Sequence, residues 1–175
     1  GYQPADILQA NCVVWVEGPS DMVYLREWLK RKDERLQEGF HFSIMWYGGS
    51  NLAWCCGEAD DPDTELTQLL TLNRNSAVIC DSDRDCEGAE LKSRVQIIKE
   101  EFERRGLFIW ITQGREVENY ISPKEIETVM RNAHPQLEWQ RPKDLVLDSV
   151  LKFKNPEEGK DSSPDKSKIA RRACE

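Results

Sequence analysis

The most restrictive feature of this sequence is an alternation. Short β-rich runs at Cys12–Val16, Phe42–Tyr47, Ala77–Cys80 and Leu107–Thr112 are separated by segments whose apolar residues recur at helical spacing. Cys12-Val-Val-Trp-Val16 is continuously apolar, as a strand covered on both faces must be. Pro19 suits the first turn of a helix, and Met22, Leu25 and Leu29 extend an apolar stripe towards Lys32. A helix is expected around Thr64–Leu72. Leu91, Val95, Ile98 and Phe102 mark another from Ala89 to Arg105, with Gly106 as its stop. Strands joined through helices are not hairpins; they require crossovers and hence a parallel sheet with helices packed over it. The expected fold class is α/β, a Rossmann-like parallel sheet of about four strands flanked by helices.

Beyond Gly114 the alternation fades. Pro123–Arg131, Leu145–Phe153 and Lys166–Cys174 have helical character, whereas Asn155–Asp165 is polar and rich in Pro and Ser. The expected organisation is a linker over residues 1–10, an α/β core over 11–121 and a mostly helical C-terminal extension over 122–175. A mobile segment is expected near 155–165.

Charge and cysteine content narrow the function classes. Lys+Arg 24 against Asp+Glu 32 gives a net charge of -8, which excludes a basic module that coats nucleic acid. The apolar runs Cys12–Val16 and Leu107–Ile111 are far shorter than the ~20 residues that cross a bilayer, so no membrane partner is expected. GYQPADILQAN has neither the basic start nor the apolar centre of a signal peptide. Of the 6 cysteines, Cys55 and Cys56 are adjacent and no C-x-x-C pair occurs; with only 2 histidines, a zinc site has little to build on. Reduced thiols point to a cytoplasmic protein.

In open parallel sheets, ligands bind beyond the carboxyl ends of the strands. Here those positions hold Glu17, with Asp21 a turn later; Gly48-Gly49; Asp81 and Asp83, with Asp85 close behind; and Glu116 and Glu118. Taken singly, each has a plain reading as a turn, cap or solvated residue, and Asp85 is best read that way. Crowded together, carboxylates repel unless some remain protonated or a cation joins them. Hard oxygen ligands favour Mg²⁺ or Mn²⁺, and two such ions about 4 Å apart suit phosphodiester hydrolysis. Lys168, or another late basic residue, is the candidate to neutralise transition-state charge.

These residues resemble the Toprim domain, the metal-binding catalytic module of topoisomerases, bacterial primases and several nucleases. Its hallmarks are a glutamate after the first strand, here Glu17 in VVWVEGPSD, and an Asp-x-Asp after the third, here Asp81 and Asp83 in AVICDSDRD. The series VEGPSD, YGGSN, DSDRD and GREVENYI is similar to the overcoming-lysogenization-defect (OLD) family, which joins an ABC-type ATPase to a C-terminal Toprim nuclease. The likeness covers Asn11 to Tyr120, with a weaker echo at Lys166–Arg171. It implies a Toprim catalytic core over 11–121 and metal ligation by Glu17, Asp21, Asp81, Asp83, Glu116 and Glu118. Glu17 would also help to activate water, and Lys168 would assist catalysis.

The same likeness implies DNA as substrate, a role in phage defence or DNA processing, and an N-terminal ABC-type ATPase as partner. It allows a homo-oligomer formed through that portion. No G-x-x-x-x-G-K-S/T phosphate loop is present, so the expectation is an excised nuclease domain whose first residues end a linker. Two alternatives stand beside it. One is a receiver-like phosphoacceptor domain using Asp81, with Thr112 at the end of the fourth strand; the other is a catalytically inactive Toprim-like binding module.

Overall fold

The computed structural model describes residues 9–48, 73–154, 161–162 and 164–174. The expected linker is thus covered only at its last two residues, and Gly49, the Thr64–Leu72 helix and most of the 155–165 segment lie outside the described residues. The chain divides into two compact units, Gly1–Cys80 with Lys92–Ile111, and Asp81–Leu91 with Thr112–Glu175. Among the described residues, no helix is long and apolar enough to cross a membrane.

The first unit is the expected α/β layer. Strands β1 (Val13–Val16), β2 (Ser43–Trp46), β3 (Ser76–Cys80) and β4 (Phe108–Ile111) form one sheet in the order β2-β1-β3-β4. Every pairing is parallel, with Val13 opposite both Ser43 and Ser76, and Ala77 opposite Phe108. Central β1 and β3 bury Val13, Trp15, Val16, Val78, Ile79 and Cys80, which is why their runs lack polar alternation.

Helix α1 (Pro19–Lys32) follows β1, starts on a proline and places Lys30, Arg31 and Lys32 in its last turn, where the helix dipole favours cations. Helix α2 (Ser93–Arg104) buries Val95, Ile98 and Phe102, the stripe visible in the sequence. It ends in a Schellman arrangement: Leu107 N donates to Phe102 O (2.9 Å) and Gly106 N to Glu103 O (3.0 Å), with Gly106 at φ +67°.

Gly48, just past β2, approaches β1 closely. Its N–H donates to Glu17 O at 3.0 Å, and a Cβ on it would lie 2.3 Å from that same oxygen. Both atoms are backbone, so the strand ends themselves would have to part. Gly48→Ala is therefore expected to lower stability by about 1–3 kcal/mol in a denaturant titration. An unchanged midpoint would refute this close approach.

The second unit holds helix α3 (Pro123–Ala133), helix α4 (Lys166–Ala173) and a small antiparallel sheet of β5 (Glu138–Trp139), β6 (Phe153–Lys154) and β7 (Asp161–Ser162). Ser122 caps α3 by accepting from Glu125 N, and Asp165 caps α4 by accepting from Lys168 N. Ile126, Val129 and Met130 of α3 pack with Val150, Leu151 and Ile169 into one core. The expected helix at Leu145–Phe153 is a correction: the segment is a turn leading into β6. Asp144 Oδ1 accepts from Val146 N and Leu147 N, and Asp148 Oδ2 accepts from Lys143 N and Asp144 N. Short carboxylates that capture nearby amides hold the chain out of a helix.

Candidate acidic site

The sequence-predicted carboxylates fall in both units. In the first, Glu17 directly follows β1 and is partly buried. Asp21 is 6% exposed and works locally: Oδ2 accepts from Gly18 N at 2.9 Å and Oδ1 from Ser20 Oγ at 3.2 Å, which caps the start of α1. Tyr47, at the end of β2, donates its hydroxyl to Cys80 Sγ (3.3 Å) beneath the Arg94 guanidinium, 5.4 Å from the ring centre. Burial, then the neighbouring Cys80 and Glu17, hold the Tyr47 hydroxyl well above the ordinary tyrosine pKa, so it remains a donor.

In the second unit, the segments after β3 and β4 are laced together. Ser82 N donates to Thr112 Oγ1 (2.8 Å), and Ser82 Oγ donates to Gly114 O (2.8 Å). Asp83 adopts φ +53°, a left-handed conformation that aspartate tolerates better than most residues, and donates its N–H to Arg115 O (2.9 Å). Val117 N donates to Asp81 Oδ1 at 2.8 Å, which fixes this largely buried carboxylate. Asp85 is exposed, in keeping with its plain reading.

The GREVENY stretch makes a short 3-10 turn at Val117–Tyr120. Asn119 ties it down: Oδ1 accepts from Glu116 N (2.9 Å), while Nδ2 donates to Leu145 O (2.8 Å) and Asp148 O (2.9 Å). Tyr120 Oη accepts from Gln113 N at 2.8 Å. Asn119→Ala removes three hydrogen bonds at once and is expected to cost about 1–3 kcal/mol, with faster amide exchange at Glu116. Retained protection at Glu116 would exclude this bracing role.

The turn presents Glu116 and the fully buried Glu118 to the ammonium of Lys166. Lys166 Nζ donates to Glu116 Oε2 at 2.8 Å and lies 3.5 Å from Glu118 Oε2. Glu116 Oε1 also lies 3.6 Å from Arg115 Nε. Burial alone would push the Lys166 pKa down; the charges of Glu118 and Glu116, the hydrogen bond to Glu116 and the charge of Asp81 outweigh it and hold the pKa well above the ordinary lysine value. The group is therefore an ammonium at every physiological pH.

Lys168, the lysine singled out from the sequence, instead donates Nζ to Ala133 O at 3.3 Å. Residues two apart on a helix face different sides, so one helix cannot aim both lysines at one target. Asn119 is the site residue that the sequence does not single out, and Lys166 is one of the late basic residues that stand beside Lys168. Asn119 lies inside the GREVENY stretch, and Lys166 stands two positions before Lys168.

The donor chemistry suits Mg²⁺ or Mn²⁺, since Asp81, Glu116 and Glu118 offer hard oxygens. The arrangement does not: among the described residues, no three His, Cys, Asp or Glu side chains are grouped so that they could hold a metal ion. Lys166 bridges the two glutamates where such an ion would need them. No protein-family model, curated protein or solved structure matches this chain.

Proposed function

We propose that this chain is a Toprim-type nuclease domain of the OLD family, a Mg²⁺- or Mn²⁺-dependent enzyme that hydrolyses DNA phosphodiester bonds. The observation that carries the reading is the pairing of Glu116 and Glu118 with the Lys166 ammonium on the turn after β4, to which Asp81, after β3, is tied through Val117 N. A parallel sheet followed by acidic loops is where this chemistry is expected. Asp81, Asp83, Glu116 and Glu118 are the proposed metal ligands, for two ions as the resemblance implies. For Glu17 and Asp21 a metal-binding role rests on the resemblance alone, with Glu17 as the group that would help to activate water. Lys166 takes the part that the sequence pattern assigned to Lys168, since a fixed ammonium beside the carboxylates can meet a phosphate oxygen. The same resemblance supplies an ABC-type ATPase as partner.

Supercoiled plasmid incubated with the protein and Mn²⁺ tests the proposal. The parent chain should nick or linearise it, and the Asp81→Ala/Asp83→Ala double variant should not; equal cleavage by the two would sink the assignment. A second reading, a Toprim-like module without catalysis, is favoured by the lysine bridge across Glu116 and Glu118. Under that reading Mn²⁺ leaves the melting temperature of the protein unchanged.

A further inference from the structure

We infer that a cavity in the second unit is a pocket for an unstacked guanine base of the DNA strand, and so a determinant of sequence preference. The inference rests on the DNA-directed reading above but involves no metal ion. The cavity has a volume of about 340 Å³ and is lined by Arg84, Glu87, Gln113, Asp144, Val146 and Leu147, among others. That volume falls within the range of small-ligand sites, roughly 300–1,000 Å³. Two backbone bonds hold its walls together beside the acidic turn: Asp83 N donates to Arg115 O at 2.9 Å, and Arg115 N to Val146 O at 2.8 Å.

Arg84 is the residue that lacks a partner. Its backbone is fixed by the bond from Arg84 N to Ser82 Oγ (3.3 Å), and its side chain is half-buried. Nε is buried without a hydrogen-bond partner, and among the described residues no carboxylate pairs with the guanidinium. A cation drawn out of water in this way is stabilised by an acceptor that the ligand brings. Asp144 supplies the complementary wall: Oδ1 accepts from Val146 N (2.8 Å) and Leu147 N (3.2 Å), which fixes the carboxylate and leaves Oδ2 to accept elsewhere. Glu87 and Asp144 would repel a bare phosphate, so a purely anionic ligand does not fit. A neutral ligand with two acceptors on one edge and two donors on the next does. Guanine is that ligand: O6 and N7 match the arginine fork, and its N1–H and amino group match a carboxylate. Adenine sets an amino donor beside N7 and offers no such pair of acceptors. Val146 and Leu147 give the ring apolar contact. A base enters a pocket of this kind only after leaving the stack.

Binding to the 175-residue chain in EDTA tests this, with the four deoxynucleoside monophosphates and two single-stranded oligonucleotides, one all thymine and one with a single central guanine. Deoxyguanosine monophosphate and the guanine-bearing strand should each bind about tenfold or more tightly than their counterparts. Arg84→Gln and Asp144→Asn should each abolish that preference; the asparagine oxygen can still accept from Val146 N and Leu147 N, so the turn remains. Cys86, exposed and on the cavity lining, gives a readout in the parent chain should either variant fail to fold. Deoxyguanosine monophosphate should slow its alkylation, read by peptide mass spectrometry against Cys174. Equal affinity for the four nucleotides, or an unchanged rate at Cys86, overturns the inference. A guanine preference confined to the free nucleotide overturns it too, because the strand is then not the source. The nuclease reading is scored separately: a guanine preference in a protein that leaves plasmid uncut rejects that reading alone, and Mn²⁺-dependent cleavage without the preference rejects the pocket alone.

Discussion

Asp81→Asn is expected to reduce Mn²⁺-dependent plasmid cleavage by about a hundredfold or more while leaving the fold in place. The substitution removes a charge and little else. The asparagine oxygen can still accept from Val117 N, the 2.8 Å bond that ties the segment after β3 to the turn after β4. Ser82 keeps its bonds to Thr112 and Gly114, and Asp83 keeps its bond to Arg115 O. The melting temperature should therefore shift by only a few degrees, roughly what 1 kcal/mol produces in a domain of this size. Asp85→Asn, at an exposed position, is the matched control and should cleave like the parent. Full activity in Asp81→Asn would remove the central ligand from the proposal.

The second large effect is structural. Ile169 is 1% exposed and packs with Ile126, Val129, Met130, Val150 and Leu151. Truncating a buried isoleucine to alanine costs about 2–5 kcal/mol. Helix α4 spans only 8 residues, too few to hold together without tertiary contacts. Ile169→Ala is thus expected to lower the melting temperature by roughly 10 °C and to draw Lys166 away from Glu116 and Glu118. Loss of that ion pair should show as faster amine labelling at Lys166 well below the melting temperature. Ile169→Val, which keeps most of the side chain, should cost only about 0.5–1.5 kcal/mol. A melting temperature for Ile169→Ala within two or three degrees of the parent, on the scale expected of a surface change, would mean that α4 is not seated by this contact.

How far the site was legible from residues alone depended on the range of the interactions that build it. The strand ends carrying Glu17, Asp81 and the Glu116–Glu118 pair were visible because hydrophobic runs stop there, and strand C-termini are where parallel sheets place ligands. The stripe of α2 and its Gly106 stop were equally visible, since both are written into consecutive residues. Leu145–Phe153 misled because its apolar spacing is helical while Asp144 and Asp148 hold the backbone in a turn. Asn119 could be read only as part of a motif; its bonds to Leu145 O and Asp148 O link residues more than twenty apart in the chain.

By itself, then, the sequence determined the parallel order-bearing elements and which loops carry carboxylates, because periodicity and turn residues act over a few positions. Tertiary structure decided which cation meets those carboxylates. Lys166 and Lys168 are chemically the same and two residues apart, and no local rule separates them. Burial of Ile169 and Ala170 sets the rotation of α4 about its axis, and that rotation delivers Lys166 to Glu116 and Glu118 and Lys168 to the end of α3.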